Sequence, residues 1–219
     1  MPEIRSDFSA QRINAQPNPM FVRLLSQMPE LAPECRRVVD LGCGKLRHLA
    51  QLREYYRDIT LVDTVQQLTA THKLGSKVST IPGFVKGLRR RKSEKLSVID
   101  FGTFAKTKSL RVQAVFCIAV FDVVPPETRR DLLSASRKHL DNGGLFLLVV
   151  PRNDSSILRR CTQGNEFKDG HAFAHHGIHT FYRNFRDSAA LAKWVARRGF
   201  DLVDDASNYR QIGLVMRRA

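Results

Sequence analysis

Residues 37–55 constrain this chain more than any other stretch. A short apolar run, Arg37-Val38-Val39-Asp40-Leu41, breaks into Gly42-Cys43-Gly44-Lys45-Leu46-Arg47 and restarts at helical spacing through His48, Leu49, Leu52 and Tyr55. A buried strand that turns on glycines into a helix is the opening unit of a parallel α/β sheet. Gly42 and Gly44 let the backbone turn tightly and approach a ligand, and the new helix start offers N–H groups and the positive end of its dipole. The glycine pair alone is weak, because tight strand-to-helix turns take glycine for structural reasons. Its context is stronger: twenty-one residues after Gly42, the run Ile59-Thr60-Leu61-Val62 ends in Asp63, where a carboxylate can hold the ribose hydroxyls of a nucleoside-containing cofactor.

The alternation of strand and helix continues along the chain. Residues 1–19 read as an irregular arm, with Asn14, Pro17, Asn18 and Pro19 against regular structure, followed by a helix from Met20 to Met28 that packs beside the cofactor turn and is ended by Pro29 and Pro33. After the first strand the pattern predicts helices at about 46–56 and 65–74 around a strand at 59–63, then a short strand, 96–100. Val112 to Phe121 is apolar nearly throughout, as a strand buried on both faces should be, and ends at Asp122. A helix follows from Glu127 to His139, with Asn142-Gly143-Gly144 as its stop and Leu145 to Val150 as the fifth strand. Ser188 is the expected cap of a last helix, Ala189 to Arg198, and two strands, Phe200 to Val203 and Ile212 to Met216, close the chain as a hairpin. The fold class is therefore α/β: a doubly wound, mostly parallel seven-stranded sheet with helices on both faces and a C-terminal antiparallel hairpin. One domain spans 20–219, with a basic insertion at about 75–95 and a polar, histidine-rich, substrate-side insertion at about 152–187.

The 36 Lys and Arg outnumber the 21 Asp and Glu, a net charge of +15. Within 86–95 stand Lys86, Arg89, Arg90, Arg91, Lys92 and Lys95 against the single acid Glu94, a run suited to gripping phosphates of a nucleic acid or, equally, to lying as a solvated insertion. No aromatic is interleaved to stack a base. Cys35, Cys43, Cys117 and Cys161 are far apart and form no C-x-x-C pair, so buried thiols in a reducing cytosol are expected rather than disulfides or a metal cluster. No stretch approaches the ~18 apolar residues of a membrane span, and the first residues are no secretory signal. A soluble, cytoplasmic protein is the expectation.

With these residues laid out, residues 20–219 resemble the class I S-adenosylmethionine-dependent methyltransferases. Asp40-Leu41-Gly42-Cys43-Gly44 is similar to that family's first motif, where glycine backbone approaches the methionine part of the cofactor. The resemblance implies that Asp63, with Thr64 beside it, holds the ribose, that Asp100 and Phe101 contact adenine, and that Ala119 and Phe121 line the same site. Val120 to Pro125 is similar to the family's segment after the fourth strand, Gly143-Gly144 to its fifth motif, and Phe181 to Phe185 with Gly199-Phe200 to the end of its small members. Two positions depart from the pattern. Leu46 and Arg47 stand where a third glycine is common, so that Arg47 is placed to reach the cofactor carboxylate. Val123 replaces a usual histidine, so no base carries over there.

Methyl transfer from a sulfonium is an in-line displacement, and a base is required only where the acceptor holds a proton. The catalytic candidates are Asp122, His175, His179 and Tyr182. His175 and His179 would share one face if their stretch were helical, and with His171 could mark a metal site, but Gly170 and Gly177 oppose a helix there, and no metal is assigned. Asp122 has a second reading as the cap of the following helix. Cys161 lacks the preceding proline of a ring-carbon nucleophile. Three functions stay open: methyl transfer to an N or O atom of nucleic acid or a nucleotide-like molecule, methyl transfer to a small metabolite, and a non-catalytic cofactor-binding module in a larger assembly.

Overall fold

The computed structural model describes residues 16–89, 91–152, 165–167, 170–175, 178–182, 185 and 187–219, with 165–182 described by their backbone alone. Helix α1 (Pro19–Leu31) leads into β1 (Arg37–Leu41), α2 (Leu49–Tyr55), β2 (Asp58–Asp63) and α3 (Val65–Thr69). A small hairpin of β3 (His72–Leu74) and β4 (Lys77–Ser79) precedes α4 (Ile81–Lys86), β5 (Lys95–Asp100) and α5 (Phe101–Lys106). Then come β6 (Val112–Ile118), α6 (Pro126–His139), β7 (Leu140–Pro151), the strands β8 (Asn165–Phe167), β9 (Gly170–His175) and β10 (Ile178–Tyr182), helix α7 (Ser188–Ala196), and the final pair β11 (Phe200–Asp205) and β12 (Gln211–Arg218).

Seven strands form the main sheet in the order β11-β12-β7-β6-β1-β2-β5. All neighbouring pairs from β7 to β5 are parallel, while β12 is antiparallel to both β7 and β11. The central strands are apolar on both sides because helices cover both faces. Val38, Phe116 and Leu147 join one core layer with α1, α2, α3 and α4, and Val39, Val115 and Leu148 join the other with α5, α6 and α7. Among the described residues no helix is long and apolar enough to cross a membrane.

Several local expectations are corrected. Helix α1 begins at Pro19 itself, capped by Asn18 Oδ1 accepting from the Met20 and Phe21 amides at 2.9 and 3.3 Å. It continues through Pro29 to Leu31, because a proline in the last turn removes one hydrogen bond without blocking the turns already formed. Helix α2 starts at Leu49 rather than 46, since Leu46 is left-handed at φ 63 and cannot continue a right-handed helix. The helix expected over 65–74 stops at Thr69. Beyond it, His72 and Leu74 face inward at strand spacing, and Gly75, at φ 63, turns the hairpin. Strand β6 stops at Ile118, and β7 takes in residues 140–144 as well as the expected 145–150. Asp187 caps α7, its Oδ1 accepting from Ala189 and Ala190 at 2.9 and 3.2 Å, in place of Ser188. In the 152–187 region the described backbone is a three-stranded antiparallel sheet, β10-β9-β8.

Candidate cofactor site

The chain leaves β1 toward β2 on one side and β6 toward β7 on the other, so strand order reverses between β1 and β6. In open α/β sheets the crevice outside the carboxyl ends of such a strand pair is where ligands bind. Here that crevice is bounded by the turn after β1 and the segment after β6. A Cβ on Gly42 would stand 2.3 Å from Val120 Cγ2, and Gly42 is left-handed at φ 80, so only glycine fits on both counts. Gly44 (φ 50), Leu46 (φ 63) and Ala119 (φ 56) add three more left-handed residues at the same crevice. The last two carry side chains there, and such strain concentrates at functional sites.

Four amides of the turn are engaged within the protein. Gly42 and Cys43 donate to the Val62 carbonyl at 2.8 and 3.1 Å, Leu46 donates to the Cys43 carbonyl at 2.9 Å, and Gly44 donates to Asp63 Oδ2 at 2.7 Å. Three of these four amides, those of Gly42, Cys43 and Gly44, bind the turn to the end of β2. The Thr64 amide donates to the other Asp63 oxygen at 2.8 Å, while the Thr64 hydroxyl caps α3 by accepting from the Gln67 amide at 3.2 Å. Each Asp63 oxygen has a second lone pair for a ligand hydroxyl. Burial pushes the Asp63 carboxyl up, and the Gly44 and Thr64 hydrogen bonds and nearby His72 oppose that shift.

Asp40 is 1% exposed, and its Oδ2 is buried with no hydrogen-bond partner. Its carboxyl is pushed up to about 7, chiefly by burial and then by the Asp63 charge. A buried carboxylate lacking a partner in a glycine cradle is suited to a ligand that brings a positive charge. The Cys43 thiol beside it is buried and driven up by burial and by both aspartates, so it stays protonated and is no nucleophile.

The remaining candidates divide. Asp100 is the register partner of Asp63 on the neighbouring strand, so the two stand side by side at the crevice rim. Its carboxylate caps α5 by accepting from the Thr103 amide at 2.9 Å, and hydrogen bonds from Thr103 hold it below its usual range. Phe101 is half-buried, 6.3 Å from the Phe104 ring. Phe121, expected to line the site, has its ring wholly buried against Phe146 and Trp194; it is a core side chain, because the chain turns inward after Ala119. Asp122 is buried at the end of that segment. It does not cap α6, whose cap position is Pro125 with no side-chain hydrogen bond. Arg47 is exposed, and its Nε donates to the Gln16 carbonyl at 2.8 Å, tying the chain before α1 to the turn.

His175 and His179 lie on the antiparallel strands β9 and β10, where Ile178 pairs with His175 and His179 with Ala174, so the shared helical face is not formed. Tyr182 is the register partner of His171. The side chains of all four lie outside the described residues, as do Cys161 and Arg90. Lys86, Arg89, Arg91, Lys92 and Lys95 are exposed. Lys95 opens β5 and the others precede it, whereas the crevice lies past the strand's last residue, Asp100, about 17 Å from Lys95 by strand length.

Two residues at the site were not singled out from sequence. Arg129 is 2% exposed; its Nε donates to the Phe121 carbonyl at 2.6 Å and its guanidinium lies 5.2 Å over the Phe185 ring. A cation in the first turns of a helix opposes the dipole, and that was its signal. His48, 7% exposed and 4.4 Å from the Phe21 ring, is held neutral by burial and by Arg47, its pKa down to about 3. Nothing in its spacing marked it.

A seven-stranded sheet with this strand order and a C-terminal antiparallel hairpin is the Rossmann-like fold of the class I methyltransferases. Residues 13–205 match the family model described as a methyltransferase domain, and the chain belongs to that family, as an S-adenosylmethionine-dependent methyltransferase. It is 22% identical over 207 residues to the uncharacterized protein YmfD of Escherichia coli (strain K12), covering 91% of this chain and 89% of that one. Its fold is similar to the PH0226 protein of Pyrococcus horikoshii (TM-score 0.65, 13% identity, 96% and 95% covered). It is also similar to a 1,6-didemethyltoxoflavin-N1-methyltransferase of Burkholderia thailandensis with bound S-adenosylhomocysteine (TM-score 0.62, 15% identity, 92% and 79% covered). A third similar structure is the glycopeptide N-methyltransferase MtfA with S-adenosylhomocysteine (TM-score 0.62, 17% identity, 94% and 92% covered).

Proposed function

We propose that this chain methylates a nitrogen or oxygen of a small organic acceptor. The observation that carries the reading is the separation of the basic run from the crevice: its cations stand at the start of β5, and the acceptor must enter past the strand's other end. In this reading Asp63 and Thr64 hold the ribose, Asp100 and Phe101 flank the adenine, and Gly42 and Gly44 bring backbone against the methionine part. Asp40 takes that part's positive charge, which supplies the buried carboxylate with the partner it lacks. The bound cofactor supplies an electrophilic methyl on a sulfonium. The chain's own task is to align the acceptor with it, at about 3–3.5 Å, and to exclude water. Where the acceptor carries a proton, Asp122, His175, His179 and Tyr182 are the candidates to accept it.

A nucleic-acid acceptor is the second reading, supported by the net charge of +15 and the exposed cations of 86–95. One experiment separates the two. The chain is incubated with methyl-labelled S-adenosylmethionine and either a metabolite extract or total RNA and DNA. Label in the low-molecular-weight fraction is expected; label in polymer, absent from the small molecules, would overturn the first reading.

A further inference from the structure

On the α6 and α7 side of the sheet, away from the crevice, a groove of about 480 Å³ is lined by Arg130, Ser134, Arg137, Lys138, Arg198 and Arg218. Five of the six are cations and none is an acid. Arg130, Ser134, Arg137 and Lys138 share one exposed stripe of α6 at helical spacing, facing Arg198 after α7 and Arg218 at the end of β12. The groove reaches the end of the sheet where β7 starts and β12 finishes, opposite to the ends of β1 and β6 that form the crevice.

Two of the guanidinium groups are tied to backbone carbonyls and a third packs on a glycine. Arg198 lies 3.7 Å over the Trp194 ring and donates from Nη1 to the Trp194 carbonyl at 2.6 Å. Arg218 Nη1 donates to the Leu140 carbonyl, and its Nε is buried with no hydrogen-bond partner. Arg137 packs so closely on Gly199 that a Cβ there would meet its Nε at 2.4 Å. Burial and the charges of Arg130 and Arg197 hold Arg198 below the ordinary arginine value, so the cations are crowded against their own repulsion. The acid beside them, Glu127, approaches Arg130 only to 4.0 Å, with both side chains well exposed, and such a pair is worth little. The helix dipole explains cations in the last turn of α6, Arg137 and Lys138. It does not explain Arg130, or why Arg198 and Arg218 converge from two other elements. Planar guanidinium forks tied to the fold around a concave space match the oxygens of a phosphate, and those ties reduce the entropy lost on binding.

We propose that this groove binds a compact, multiply charged phosphate, either free or as the tail of a nucleotide. The test is calorimetry on the full chain with inorganic tripolyphosphate at about 50 mM salt, where surface charges are still felt over roughly 14 Å. Binding is expected, weakened at least tenfold by Arg130→Gln with Arg137→Gln and by Ser134→Glu, which adds a negative charge at an exposed helical position. Lys86→Gln with Arg89→Gln and Lys92→Gln, in the other basic region, is expected to change it less than threefold. Uridine triphosphate and uridine distinguish the sources: a nucleotide tail predicts that the triphosphate outcompetes tripolyphosphate, a free phosphate that the two compete equally, and uridine alone should not compete in either case. Absence of tripolyphosphate binding, binding indifferent to the groove substitutions, or equal weakening by the control triple would overturn the proposal. None of these outcomes depends on the methyl acceptor.

Discussion

Gly42 and Val120 meet where a Cβ on the first would stand 2.3 Å from Cγ2 of the second, so the two walls of the crevice touch at the atom that glycine lacks. Gly42→Ala should therefore cost roughly 2–4 kcal/mol, from the contact and from the left-handed φ of 80 together. Adding Val120→Ala should return the contact's share, about 1–2 kcal/mol, and leave the backbone strain. Denaturant unfolding of both single variants and the double closes this cycle, and strictly additive losses would sink the packing account.

The main sheet was readable because strands buried on both faces are continuous apolar runs, and Val112 to Ile118 is the plainest. The hairpin at 72–79 was misread because Val65, Leu68 and His72 fall at helical spacing, which hides the short strand alternation of His72 and Leu74. The Gly75-Ser76 pair between Leu74 and Lys77 was the hairpin signal that should have decided it. Asp187 and Ser188 are both good caps one residue apart, a choice that sequence alone does not make. At the site, the glycines and Asp63 were legible as types. That the Gly42, Cys43 and Gly44 amides bind Val62 and Asp63 was not, because it depends on how β1 and β2 end beside each other.

Asp40 and His48 should give stability opposing slopes with pH. The Asp40 carboxyl titrates near 3.8 when unfolded and at about 7 in the fold, so the folded state binds the extra proton and stability falls as pH rises between those values. The His48 imidazole titrates near 6.5 when unfolded and at about 3 in the fold, so the unfolded state binds the extra proton and stability falls as pH drops through that window. The wild-type profile should therefore be flattened where the windows overlap. Asp40→Asn should leave a steep loss toward acid, and His48→Leu a gain toward acid. Urea unfolding from pH 4 to 8 checks both; parallel profiles for the two variants would contradict the assignment.

If Asp40 receives the α-ammonium of the methionine part, which S-adenosylhomocysteine shares, ligand binding must return its carboxyl to the ionised form. Binding of S-adenosylhomocysteine near pH 7 should then release about half a proton, read as a dependence of calorimetric heat on the ionisation enthalpy of the buffer. Asp40→Asn should abolish that dependence and weaken binding at least tenfold. Buffer-independent heats for the wild type would remove Asp40 from the cofactor site.

Arg53 holds the basic run onto α2. Its Nε and Nη2 donate to the two Glu94 oxygens at 2.7 and 2.9 Å, and Nη2 also donates to the Arg89 carbonyl at 2.8 Å. The Glu94 side chain is fully buried and that of Arg53 is half-buried, which makes removal of the arginine costly to the carboxylate it leaves behind. Arg53→Ala should lose about 3 kcal/mol by leaving a buried charge, and Arg53→Met with Glu94→Leu should lose much less. Thermal unfolding decides it: equal losses in the single and double variants would mean that the ion pair itself carries the stability.

Leu46 and Ser93 occupy the same left-handed backbone, φ 63 and 65, in opposite surroundings. Ser93 is exposed, so Ser93→Gly loses no packing; relief of the left-handed strain, less the entropy that glycine adds to the unfolded chain, should stabilise the fold by roughly 0.5–1 kcal/mol. Leu46 is 9% exposed and packed into the core layer that holds α1 and α2. Leu46→Gly, which restores the glycine common at this point of the family's first motif, gains the same relief but gives up a buried leucine worth roughly 2–5 kcal/mol, for a net loss of about 1–4 kcal/mol. Opposite signs for two substitutions to glycine at nearly equal φ, measured by chemical denaturation, would show that packing rather than backbone preference keeps leucine in the cofactor turn. A gain in both would show instead that the turn tolerates leucine only as strain.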